Sequence, residues 1–139
     1  MVDSDALARR LLTLSECLAE LERPDAADAA ALARDSLLRA AVERWLQIAI
    51  EACIDIATHV LAAEGWTPAG SAREAFVILA NHGRIPLDLA HRLGSAAGLR
   101  NVLVHDYVAV DLNRIAYAVK TDLSDLRTFA ALVEPWMAD

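Results

Sequence analysis

The sequence predicts an all-α protein, an antiparallel bundle of four or five helices forming one domain over residues 1–139. Three observations carry this. Alanine and leucine dominate an apolar fraction of 56% with aromatics at 5%, a balance that favours helix over strand. Apolar residues recur at spacings of three and four. Glycine and proline gather at the breaks between those periodic stretches. With charged residues at only 24%, the chain lacks the signature of disorder, and its length buries one core. Short connections between consecutive helices make neighbours antiparallel.

The first helix carries Leu7, Leu11, Leu14, Leu18 and Leu21 on one face, with Ser4 or Asp5 as its cap and Pro24 closing it. Asp25 to Arg34 is polar and alanine-rich, and reads either as loop or as the start of the next helix. From Ser36 to about Ala63 a long pattern is apolar nearly all round, which marks a helix buried on most sides. Its polar residues Arg44, Gln47, Glu51, Asp55 and Thr58 form one narrow stripe that faces water or lines a cleft. Gly65, Pro68, Gly70 and Ser71 break the chain, and Ser71 with Glu74 has the form of a capping box for a short helix to about Asn81. Gly83 ends it, and Pro86 suits the first turn of a helix running through Leu87 and Leu93 to about Leu103. Gly94 and Gly98 lie four apart in that helix, where each costs about 1 kcal/mol relative to alanine, so close packing or simple tolerance must explain them. The last helix starts at Asp111 as cap and continues to about Trp136.

A mean hydropathy of +0.31 raises the question of a membrane, which asks for roughly 18 residues with few or no charges. The longest stretch free of Asp, Glu, Lys and Arg is Ala75 to Gly83, so no membrane span is expected, and the apolar surplus points to a partner surface. Asp3 and Asp5 stand where a secretory signal carries positive charge, which predicts a cytoplasmic protein. Cys17 and Cys53 sit inside apolar helical patterns without metal-ligand spacing and read as buried free thiols. A net charge of −7 excludes broad nonspecific nucleic-acid binding but not a local site. Lys120 is the only lysine, so positive charge is almost all arginine, whose planar fork suits phosphate.

Chemically capable side chains concentrate in Arg100-Asn101-Val102-Leu103-Val104-His105-Asp106-Tyr107, where an apolar helix is ending. Arg84 and His91 form a looser version of the pair across Pro86, and are set aside for that reason. Residues five apart on a helix differ by about 140°, so Arg100 and His105 share a face only if the helix ends between them. An ending near Val104 or His105 leaves the imidazole at the helix mouth, a place that suits a proton donor. From the residues alone, His105 fits a satisfied helix-end histidine as well as a catalyst, and Arg100 fits an ion pair with Glu51 or Asp55. Those two carboxylates also form a pair that metal or acid–base chemistry could use, but no His or Cys joins them at ligand spacing, which favours a structural role. His59, His82 and His91 read as surface residues, Tyr117 as packing, and Trp45, Trp66 and Trp136 as core or interface anchors.

The run RNVLVHDY resembles the Arg-x4-His-x-Tyr signature of the HEPN superfamily, specifically of the HepT-type toxins of bacterial and archaeal toxin–antitoxin pairs. ERWLQIAIEACIDIATHV, IPLDLAHRL and the closing helix after VDL are similar to family segments too, so the resemblance covers roughly Leu38 to Val133. It implies a HEPN-like, homodimeric bundle that is a metal-independent endoribonuclease, with no cofactor and no metal ligands, acting on an RNA substrate. Arg100 and His105 are then catalytic and Asn101 supports them by orienting the arginine or the helix end. The resemblance also implies a minimal nucleotidyltransferase antitoxin as partner, transferring AMP to Tyr107 and silencing the toxin. The alternative is a non-catalytic helical module that pairs with or regulates a nucleotidyltransferase.

Overall fold

The computed structural model describes residues 2–105 and 111–138, and among these the chain forms six α-helices. They are α1 (Ser4–Leu21), α2 (Ala29–Arg34), α3 (Ser36–Glu64), α4 (Ala72–Asn81), α5 (Leu87–His105) and α6 (Leu112–Val133), with short 3-10 turns at Pro24–Ala27 and Glu134–Met137. The expected four or five helices become six because the ambiguous stretch after Pro24 folds into a 3-10 turn and the short α2, whose cap Asp28 accepts the Ala30 N–H at 3.0 Å.

Helix α3 is the spine. Asp35 caps it by accepting the N–H groups of Leu37 and Leu38. Gly65, at φ +70°, ends it in the left-handed conformation glycine tolerates, and Trp66 N–H donates back to Leu61 O at 3.0 Å. Along its length Leu46, Ala49, Ile50, Cys53, Ile56 and Val60 are buried. Helix α3 touches α1, α4, α5 and α6. It runs antiparallel to α1, as the Asp3 N–H donating to His59 Nε2 at 3.3 Å shows, and antiparallel to α5, where Glu64 meets Arg84 and Glu51 meets Arg100. Phe76 of α4 and Phe129 of α6 meet edge to face at 5.8 Å, and Trp136 adds a second perpendicular contact to Phe129. Among the described residues no polar or charged side chain is fully buried, so burial of apolar surface holds the bundle together.

Several local expectations need correction. The cap of α1 is Asp3 and not Ser4 or Asp5: its carboxylate accepts from Asp5 N–H and Ala6 N–H, while Ser4 Oγ donates to Met137 O. In the capping box, Ser71 Oγ accepts from Glu74 N–H as expected, but the Glu74 carboxylate reaches Gly70 N–H, one residue further out. Helix α3 does contain an 18-residue window with no more than two charged residues and a mean hydropathy of 1.5, long and apolar enough to cross a membrane by those measures. Its Glu51 and Asp55 are what interrupt the apolar run, and half of the window is buried inside the bundle. Tyr117 does not pack; it is 65% exposed. His82 keeps its exposure but stacks on Trp66 with ring centroids 3.7 Å apart, and His59 is half-buried. Both cysteines are free and buried as expected, and burial pushes both thiols above their ordinary range, with the Glu16 carboxylate adding to the effect at Cys17.

The two glycines of α5 separate into different cases. A Cβ on Gly94 would sit 2.9 Å from Arg73 Cγ, so close packing of α4 explains it, whereas a Cβ on Gly98 meets nothing within 4 Å. Gly98→Ala is therefore expected to stabilise the protein by about 0.5–1 kcal/mol through helix propensity. Gly94→Ala gives no such gain, and urea unfolding of the two variants checks the contrast.

Candidate functional site

Helix α5 continues unbroken to His105, past the expected end near Leu103. The imidazole is exposed at the last described position of α5. Because the helix does not end between them, Arg100 and His105 point in directions about 140° apart and are offset by about 7.5 Å along the axis. One chain does not bring the two groups onto one face. Asn101 is exposed beside them. Tyr107 and the rest of residues 106–110 lie outside the described residues.

Arg100 is positioned by the antiparallel docking of α5 on α3. Its side chain keeps 25% of its surface, and Nη1 lies 3.7 Å from Glu51 Oε1, at the long end of an ion pair. Glu51 in turn accepts from Gln47 Nε2 at 3.3 Å, so two members of the polar stripe on α3 face α5. Arg100 Nε is buried without a hydrogen-bond partner among the described residues. An unsatisfied buried donor costs about 1–3 kcal/mol, so the guanidinium is held loosely, partly desolvated, and with donors to spare. That is the condition in which an arginine gains most from a phosphate. Of the two partners expected for it, Glu51 and Asp55, Glu51 is the one observed.

Beside Arg100 opens a cleft of about 310 Å³ that the sequence reading did not identify. Ile54, Thr58 and Leu61 of α3, Trp66 and Pro68 of the following connection, and Arg100 line it. Its signal in the sequence was the Gly- and Pro-bearing break directly after the polar stripe, with an indole inside it. Trp66 is fixed there by the helix-ending turn, by the His82 stack, and by Arg84, whose guanidinium carbon lies 5.5 Å from the Trp66 ring and 5.2 Å from that of Trp136. Arg84 also pairs with Glu64 at 3.4 Å, which commits it to structure.

An all-helical bundle whose longest core helix presents a carboxylate to an arginine near the end of its neighbour has the fold of the HEPN toxins. A structure of a tri-AMPylated Shewanella oneidensis HEPN toxin in complex with MNT antitoxin superposes with a TM-score of 0.85 at 29% identity, covering 94% of this chain and 98% of that one. The cytosolic protein YutE from Bacillus subtilis shares the fold, at a TM-score of 0.86 and 17% identity over 98% of this chain and 91% of that one. In sequence, the chain is similar to the mRNA nuclease HepT of Shewanella oneidensis, 29% identical over 94% of this chain and 98% of that protein. It is also similar to the tRNA nuclease HepT of Aphanizomenon flos-aquae, 30% identical over 68% of this chain and 65% of that protein. The family model described as Ribonuclease HepT-like matches residues 14–133. The chain belongs to the HepT-like ribonuclease family.

The long contact between Arg100 and Glu51, whose side chains keep 25% and 35% of their surface, lies beyond hydrogen-bond distance and belongs to the weak class of ion pairs. Glu51→Gln keeps the shape of the side chain and is expected to change stability by less than about 1 kcal/mol in urea unfolding. A loss of several kcal/mol would make the pair a structural anchor instead.

Proposed function

We propose that this chain, acting as one domain, is the toxin of a toxin–antitoxin pair: a metal-independent endoribonuclease of the cytoplasm, built as a homodimer and silenced by AMP transfer to Tyr107. The observation that carries the reading is the loosely paired, partly desolvated guanidinium of Arg100 on the same helix as an exposed His105, in a chain of the HepT-like ribonuclease family.

Cleavage of RNA by its own 2′-hydroxyl needs three things: a base to take the hydroxyl proton, an acid to protonate the departing 5′-oxygen, and positive charge against the phosphorane between them. Imidazole serves as either base or acid near neutral pH. The guanidinium supplies paired N–H donors to phosphate oxygens and needs no metal to do so. One chain offers one histidine in this motif, facing away from its own arginine. Two-fold pairing of α5 ends supplies two of each to one cleft. In that arrangement one imidazole accepts the 2′-proton, the 2′-oxygen attacks phosphorus, and the other imidazole protonates the 5′-oxygen as it leaves. Asn101, exposed next to Arg100, supports the guanidinium or the helix end.

Tyr107 follows two residues after His105. An adenylyl group on its phenol oxygen adds phosphate charge and bulk beside an arginine meant for the substrate phosphate, which blocks access. The complex of the Shewanella toxin with MNT antitoxin, and the AMPylation of that toxin, support a nucleotidyltransferase as the partner here. The net charge of −7 favours the alternative of a non-catalytic module that binds the nucleotidyltransferase, since such a chain has little general attraction for RNA.

One experiment decides between them. Purified protein incubated with RNA in excess chelator is expected to cut, and Arg100→Ala or His105→Ala is expected to lower the rate by about 100-fold or more while leaving the helical spectrum unchanged. RNA left intact by the wild type, or cut equally by both variants, removes the nuclease reading. On co-expression with the partner, the peptide holding Tyr107 is expected to gain the mass of adenylate.

A further inference from the structure

We infer that the cleft beside Arg100 is a nucleobase subsite, which receives the flat base of the nucleotide whose phosphate Arg100 holds; the inference deepens the ribonuclease reading and rests on it.

The cleft, at about 310 Å³, sits at the small end of the range for ligand pockets, room for a single ring system and its sugar edge but not for a peptide helix. Its walls are chemically lopsided. Ile54, Leu61, Trp66 and Pro68 are apolar, and the cation Arg100 stands at the boundary. The complement of that arrangement is an apolar planar group tethered to an anion, which describes a nucleotide.

Each hydroxyl of the lining already makes one bond inside the protein: Thr58 Oγ1 donates to Ile54 O at 2.9 Å, and Ser71 Oγ accepts from Glu74 N–H at 3.1 Å. Apolar contact and shape therefore lead recognition, with the Ser71 hydroxyl proton left to supplement them. The indole that would form the apolar wall is fixed in advance: the backbone N–H of Trp66 donates to Leu61 O, and His82 covers one face of the ring at 3.7 Å and 6°, so a base would meet the part of the ring that His82 and Arg84 leave uncovered. A wall that is ordered before the ligand arrives loses little freedom on binding. Arg100 lines the cleft and keeps 25% of its side-chain surface, so its guanidinium is within reach of a phosphate held there, while its Nε is buried without a partner among the described residues. A nucleotide satisfies both halves of the site at once, the base against Trp66 and the phosphate against the guanidinium.

The test uses the full chain labelled with nitrogen-15, reading the indole N–H signals of Trp45, Trp66 and Trp136, with Trp66 assigned through Trp66→Phe. The four nucleoside 3′-monophosphates are titrated, alongside ribose 5-phosphate and inorganic phosphate. The Trp66 signal is expected to move saturably with at least one nucleotide, to stay put with the two base-free phosphates, and to lose its response in Ala62→Phe. Ala62 lines the cleft from an exposed position on α3, so the added ring fills the space without entering the core. Unchanged Trp45 and Trp136 signals verify that this variant is folded. Mapped cleavage positions are expected to show a base preference next to the cut bond that flattens to within about twofold in Ala62→Phe.

A Trp66 signal unmoved by every nucleotide, or moved equally by ribose 5-phosphate, overturns the subsite. A Trp66 signal that shifts with protein concentration alone assigns the cleft to a second copy and overturns it too. Cleavage by Ala62→Phe with the wild-type base preference sinks the subsite and leaves the nuclease standing. RNA uncut by the wild type while Trp66 still answers to nucleotides does the reverse.

Discussion

The structure depends on helix α3 being apolar nearly all round. A helix of that kind lowers its free energy only at the centre of a bundle, and α1, α4, α5 and α6 pack around it. Its polar stripe has Arg44, Asp55 and Thr58 exposed and Gln47 and Glu51 half-buried. Glu51 is one of these, and the antiparallel run of α5 brings Arg100 against it. A carboxylate of moderate exposure at 3.7 Å holds a guanidinium in place without saturating it. The same core packing that stabilises the fold thus leaves a desolvated arginine with spare donors near the end of α5.

That local arrangement resolves an apparent conflict in the charge. A chain at −7 repels nucleic acid over most of its surface. Affinity for one phosphodiester needs only a few well-placed donors, and arginine delivers them in a fixed fork. The unbroken path of α5 through His105 adds a geometric condition. Arginine and histidine five residues apart on a continuous helix point about 140° apart, so the proposed reaction calls on a second chain, and the dimer is part of the chemistry in that proposal. Next to the arginine, the turn that closes α3 fixes Trp66 in a cleft, which in the proposed reading would extend the phosphate site toward a base.

Much of this was legible from sequence because it rests on periodicity and on residues with strong local preferences. The 3.6-residue pattern located α3 and α6, and Gly65, Gly83, Ser71 and Asp111 marked ends that the structure keeps. The ion pair of Arg100 with Glu51 followed from a polar stripe on an otherwise buried helix. What sequence missed depends on distant contacts. Asp3 and not Ser4 caps α1, because the Ser4 hydroxyl is claimed by Met137 O, 133 residues away. The weak pattern after Pro24 gave no sign that Asp28 could nucleate α2 against α6. Tyr117 looked like packing from its place in an apolar helix, yet it falls on the outward side of α6 at 65% exposure. The cleft beside Arg100 is formed by a helix, a turn and a third element, so the Gly- and Pro-bearing break marks one wall of it but no local pattern brings the others together.

The claim that two chains share one reaction centre is tested most directly by a tandem dimer, two copies joined by a flexible linker, in which one copy carries His105→Ala. If one imidazole takes the proton and the other returns it, losing either is expected to cost about 100-fold or more in cleavage rate relative to the intact tandem. If each subunit cuts alone, the mixed tandem retains about half of the activity, and the shared centre is contradicted.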